Sequence, residues 1–148
     1  MNYFFLLLAF LIGVGTAVQG GVNSQLRLSL GNPILAALFS FVIGLLALLI
    51  AFAAFNQNDL PSVHTIRHIS WWKFLGGLFG AFYVLTVIFV VRDIGQGALV
   101  CLAVAGQLIA AVVIDHYGLL GFAVHQVSLP RLLGVVLLII GAVLIVRH

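Results

Sequence analysis

Apolar residues run along this chain in five long blocks, separated by short clusters of Gly, Pro, Asn, Asp and Ser. Each block approaches or exceeds the roughly 20 residues with which a helix crosses a bilayer. The first starts at Tyr3 and continues as helix to about Leu28, and Gly31-Asn32-Pro33 is the first firm break. Asn32 fits an N-cap and Pro33 the first helical position, where a missing N–H costs nothing, which predicts a second helix over 33–55. Asn56-Gln57-Asn58-Asp59-Leu60-Pro61-Ser62 is the most polar stretch and reads as a loop, with the region through Ser70 lying along the membrane interface. Trp71 and Trp72 open a third span over 71–91, their amphipathic rings at headgroup level. A short turn from Arg92 leads into a fourth span over 97–115, closed by His116-Tyr117-Gly118. Ser128-Leu129-Pro130 repeats the cap-and-proline start before a fifth span over 130–146. The pattern predicts an all-α membrane protein of about five transmembrane helices in a single domain over 1–148, with no internal repeat.

Composition sharpens that picture. Of 148 residues, 64% are hydrophobic and 6% charged, against about 25% charged in an ordinary soluble domain. With a mean hydropathy of +1.33, the chain lacks the polar surface to cover a water-soluble globule, which excludes both a disordered chain and a cytosolic enzyme. The lipid bilayer is its main partner. A pI near 9.6 does not point to nucleic acid, because the six basic residues are spread singly and make no patch. Cys101 is the one cysteine, lies in an apolar run and gives no sign of an oxidising compartment. No Lys or Arg precedes the first apolar block, so that block is expected to stay in the mature protein rather than to leave as a secretory signal.

With five spans, Arg67, Lys73 and Arg131 share one side of the membrane, and Arg27, Arg92 and Arg147 the other. The positive-inside rule then has almost nothing to act on. Either orientation is fixed by details such as unequal loop lengths, or copies insert both ways and pair antiparallel around a mid-membrane site. The aromatic ends break that symmetry, since Tyr3, Phe55, Trp71, Trp72 and Tyr117 fall together on the N-terminal side.

Polar groups inside the apolar blocks are the candidate chemistry. Thr16, Gln19, Gly20, Asn23 and Arg27 recur at three- and four-residue spacing and form one stripe on the first helix. An amide facing lipid loses its hydrogen bonds at a cost of several kcal/mol, so Gln19 and Asn23 are expected to face another helix or a wet cavity, as interhelical glue or as cargo contacts. Gln107, near the middle of the fourth span, is the corresponding cavity candidate there. Asp115 is the only carboxylate close to the hydrocarbon; with His116 it can serve proton handling, or it can cap the helix end or pair with a residue such as Arg131. On the third span Gly76 and Gly80 allow close backbone approach beside Tyr83, and Ala36, Ser40 and Gly44 make a similar seam on the second. Gly134 and Gly141 mark a face of the fifth suited to helix pairing or dimer contact. No Cys and His cluster with metal-ligand spacing, no phosphate-binding loop and no nucleophile setting is recognisable, so neither a metal nor a cofactor nor an enzymatic activity is expected.

The order Gln19-x-x-x-Asn23, Gly31-Asn32-Pro33 with Ala36-Ala37 and Ser40-Phe41, Trp71-Trp72 with Gly76-Gly77 and Gly80-Ala81, Gly106-Gln107-Leu108, Asp115-His116-Tyr117-Gly118, and Arg131 with Gly134 closely resembles the YdcZ-type family of the drug/metabolite transporter superfamily of bacterial membranes. The resemblance covers nearly the whole chain. It implies a multi-pass inner-membrane protein, a half-size transporter unit of about five helices, and a homodimer or a pairing with a related half that rebuilds a ten-helix machine. The small multidrug resistance exporters of the same superfamily work through a Glu in the first helix, whereas this chain has neutral Gln19 and Asn23 there and no glutamate at all. Amides and an aromatic suit neutral, zwitterionic or anionic metabolites, and any proton coupling would use Asp115 or a His. The expectation is a small-molecule carrier working by alternating access, with Gln19, Asn23, Tyr83 and Gln107 lining its cavity. Its rivals are a dual-orientation channel with a continuous polar pore and a membrane scaffold that transports nothing.

Overall fold

Asn32 caps the second helix as its chemistry demands: its Oδ1 accepts the main-chain N–H groups of Ile34 at 2.8 Å and Leu35 at 3.2 Å. In the computed structural model, which describes residues 3–55 and 60–147, this cap sits between α1 (Tyr3–Leu30) and α2 (Pro33–Phe55). Gly31 makes the intervening turn at φ +67°, and its N–H closes on the carbonyl of Arg27 at 2.9 Å. Residues 56–59, the heart of the expected polar loop, lie outside the described residues.

A short helix follows, α3 (Val63–Arg67), which the sequence pattern did not predict. Ser62 caps it by accepting the Thr65 N–H at 3.1 Å, and a five-residue helix is too short to show a periodicity. A 3-10 turn over Trp71–Phe74 leads into α4 (Leu75–Ile94). Lys73 Nζ lies 5.8 Å from the Trp72 ring, a pairing suited to the headgroup zone where that turn was expected to sit. α5 (Gln96–Tyr117) and α6 (Leu129–Arg147) complete the chain. Ser128 caps α6, its Oγ accepting from Arg131 N at 3.4 Å. Five of these helical segments are long and apolar enough to cross a membrane: Tyr3–Leu30, Pro33–Phe55, Trp71–Ile94, Gln96–Tyr117 and Leu129–Arg147. Among the described residues there is no strand.

Packing divides the chain into two compact units that meet within α4, the first ending at Phe89 and the second beginning at Val90. In the first unit Ala36 and Ala37 of α2 pack with Val84 and Ile88 of α4, and Leu26 of α1, Tyr83 and Leu85 close around them. Ala36 and Ile88 are fully buried. Small residues on α2 let the larger α4 side chains approach, the usual means of helix association where lipid tails remove the hydrophobic drive. In the second unit α5 runs against α6, and a Cβ placed on Gly97 would lie 3.8 Å from Ile145. Most large apolar side chains of α1, α2 and α6 are exposed. That is the arrangement expected of helices whose solvent is hydrocarbon and whose backbone polar groups are satisfied within each helix.

Candidate functional site

Along the stripe on α1, Gly20 and Asn23 are buried, Thr16 and Arg27 half-buried and Gln19 exposed. Thr16, Gln19, Gly20 and Asn23 face Tyr83, Val84 and Val87 of α4 across a crevice of about 160 Å³, in which no space is wide enough for a water molecule. Helical spacing brings these four α1 residues to one face, and Arg27, one further turn along, reaches α4 as well. Its guanidinium donates to the main-chain carbonyls of Ile88 at 2.7 Å and Phe89 at 3.3 Å and lies 5.6 Å from the Phe89 ring centre.

Within the crevice the polar groups differ in how they are satisfied. The Thr16 hydroxyl donates back to Ile12 of its own helix at 2.7 Å, a local bond common for hydroxyls in apolar helices. Asn23 is 4% exposed, the one buried polar residue among those described. Among the described residues no hydrogen bond engages the side-chain amide of Asn23 or of Gln19. Neither amide is among the fully buried polar groups left without a partner, and Gln19 is exposed. Gln19 also lines a second, larger space: an open groove of about 340 Å³ between α1 and α2, walled by Ser40, Phe41, Gly44, Leu45 and Leu48. The seam of Ala36, Ser40 and Gly44 therefore divides its work, since Ala36 packs while Ser40 and Gly44 open the groove beside Gln19. The sequence showed Ser40 and Gly44 only as small residues, and nothing in their spacing separates a packed wall from an open one.

Gln107 stands exposed on α5, in the second unit, and lines neither of these spaces. That unit has its own groove of about 280 Å³ between α5 and α6, lined by Val100, Cys101, Val104, Leu138, Gly141, Ala142 and Ile145, an almost wholly apolar wall. Of the glycines expected to allow close packing, Gly80 would bring a Cβ to 3.9 Å from the Phe41 ring, ordinary contact, while a Cβ on Gly76, Gly134 or Gly141 would meet nothing within 4 Å.

Asp115 forms an ion pair with Arg131, one of the alternatives its position at the end of α5 allowed. The pair belongs to a latch that ties the 118–128 connection back onto α5. The main-chain carbonyl of Asp115 accepts from His125 N at 2.8 Å, and Arg131 also donates to the His125 carbonyl at 3.3 Å. His116 Nδ1 accepts the Val127 N–H at 3.3 Å, which puts the ring proton of neutral His116 on Nε2. Its ring meets Tyr117 edge-on at 4.8 Å. Gly118 ends α5 in the left-handed conformation at φ +61°, where an added Cβ would stand 2.7 Å from Val124 Cγ2. Among the described residues no group of three or more His, Cys, Asp or Glu side chains is placed to hold a metal ion.

Five helices long and apolar enough to cross a membrane define a multi-pass membrane protein. The family model described as "Putative inner membrane exporter, YdcZ" matches residues 4–144, and the chain belongs to that family. It is a multi-pass inner-membrane protein. Over 145 residues, 97% of this chain and 96% of the relative, it is 28% identical to the "Inner membrane protein YdcZ" of Escherichia coli (strain K12). No solved structure matches the chain.

Proposed function

We propose that this chain is one half of a carrier: two copies, or a copy and a related half, move a small neutral, zwitterionic or anionic solute across the inner membrane by alternating access. The observation that carries this reading is Asn23, a polar residue held at 4% exposure in the crevice between α1 and α4. Polar groups retained inside membrane helices mark substrate pathways. Thr16, Gln19 and Tyr83 supply further neutral hydrogen-bonding groups along the same wall. The crevice walls contain no carboxylate to attract a cation. Gln107 on α5 is a second, separate cargo contact in this reading.

A ligand-dependent thermal-shift screen of the purified protein against small neutral, zwitterionic and anionic solutes tests the assignment. A stabilising solute whose effect disappears in Asn23→Ala supports the site, and loss in Gln107→Ala extends it to α5. Binding that survives both substitutions unchanged removes the cavity assignment.

A further inference from the structure

We propose that His64 and His68 form a binding site for one divalent transition-metal ion on the segment between α2 and α4. The two residues are four apart, His64 on α3 and His68 at its C-cap in helical conformation, which brings both imidazoles to one side of the turn. Their Nε2 atoms lie 3.2 Å apart and their ring centres 4.4 Å apart, with the rings inclined at 55°. An ion bound at 2.0–2.1 Å by two imidazole nitrogens holds them about 3.3 Å apart in tetrahedral and about 2.9 Å apart in square or octahedral geometry. The observed separation falls inside that interval, so the two nitrogens are spaced to share one ion once the rings turn to aim both lone pairs at it.

The chemistry of the pair selects the ion. Imidazole nitrogen favours Zn²⁺, Ni²⁺ and Cu²⁺ over the hard cations Mg²⁺ and Ca²⁺, which prefer oxygen. With no ion bound, one Nε2–H donates to the other Nε2. For metal binding both rings adopt the tautomer with hydrogen on Nδ1, so a neutral pair takes the ion without net loss of a proton. Because no third protein ligand joins them among the described residues, water or a solute anion completes the coordination and the ion exchanges readily. Both side chains are exposed, so the ion reaches them without any opening of the bundle. Bound there it bridges one turn of a five-residue helix whose cap rests on Ser62 alone, and so stiffens the segment that leads into Trp71 and Trp72. The sequence reading missed the site because it looked for clusters of ligands, and two histidines at i and i+4 make only a pair.

The test uses the untagged full chain in detergent. Zn²⁺ affinity is measured by competition with a chromophoric chelator, and Cu²⁺ is observed by electron paramagnetic resonance. We expect one equivalent of Zn²⁺ and nitrogen splitting in the Cu²⁺ spectrum. His64→Gln and His68→Gln should each weaken binding by about tenfold or more, since even residues that only support a ligand are worth about that much. His116→Gln and His125→Gln should leave it unchanged. Affinity in the wild type no greater than in the His64→Gln/His68→Gln double variant, or insensitivity to both single changes, overturns the proposal. Helicity measured by circular dichroism confirms in each case that the variant is folded.

Discussion

Arg27 of α1 holds the main-chain carbonyl of Ile88 on α4, with 2.7 Å from guanidinium to oxygen. A carbonyl inside a helix has a second lone pair to offer, so this bond joins the two helices without breaking the ladder of either. It lies one turn beyond Asn23, at the end of the polar stripe, and ties α1 to α4 at the edge of the crevice.

Arg27→Ala is expected to lower the stability of the detergent-solubilised protein by about 1.5–3 kcal/mol, the range for hydrogen bonds from charged donors. Arg27→Lys should recover only part of it, because one ammonium cannot reproduce a guanidinium that meets two carbonyls and a ring. Thermal unfolding of the three proteins checks both statements.

Asn23→Leu keeps the branching of the side chain while removing its polarity. It is expected to leave the melting temperature unchanged or slightly raised, and at the same time to abolish solute binding and flux. A stable protein that still transports would show that the amide is dispensable. A destabilised one would show that the amide finds partners in the folded membrane protein.

Gly118→Ala is expected to destabilise the end of α5, since a residue with a Cβ at φ +61° costs about 1–2 kcal/mol before the encounter with Val124 is counted. The loss should appear as faster hydrogen exchange in 115–128, with the exchange of α1 and α2 unchanged.

Asp115→Asn separates a latch from a proton relay. The ion pair is partly exposed, the side chains of Arg131 and Asp115 being 37% and 27% accessible, so its loss should cost no more than about 1 kcal/mol and show as easier proteolysis of the 118–128 connection. Uptake into proteoliposomes across a pH gradient reads the other role. An unchanged pH profile in Asp115→Asn assigns the carboxylate to holding the connection, and a flattened one assigns it to proton coupling.

Reporter fusions at the C-terminus examine the balance of basic residues. With Arg67, Lys73 and Arg131 set against Arg27, Arg92 and Arg147, we expect the reporter to be found on both faces of the membrane. Removing one charge, as in Arg92→Gln, should shift the population toward one face. A wild-type reporter found on one face alone removes the antiparallel form of the dimer.

What could be read from the residues depended on whether the information was local. Asn32 and Ser128 announce helix starts because a cap is made by a side chain and the N–H groups two or three residues ahead. That Thr16, Gln19 and Asn23 line one crevice followed from spacing, because residues three and four apart share a face of the helix. Gln107 had no such companions and its direction stayed open; it stands exposed on α5. Arg27 could be seen as part of the stripe, but its partners could not, because every residue carries a carbonyl and only the approach of two helices selects Ile88 and Phe89. α3 escaped notice because a single capped turn leaves no periodic trace. The width of the crevice depends on the distance between helix axes, a quantity no string of residues states.

The pinch beside Asn23 admits not even one water molecule. Anything that passes this amide has first to prise two rods apart, and the barrier to doing so belongs to the protein and to the lipid that gives way around it. Turnover on this route should therefore climb steeply on warming, stall when the surrounding acyl chains freeze, and level off at high cargo concentration.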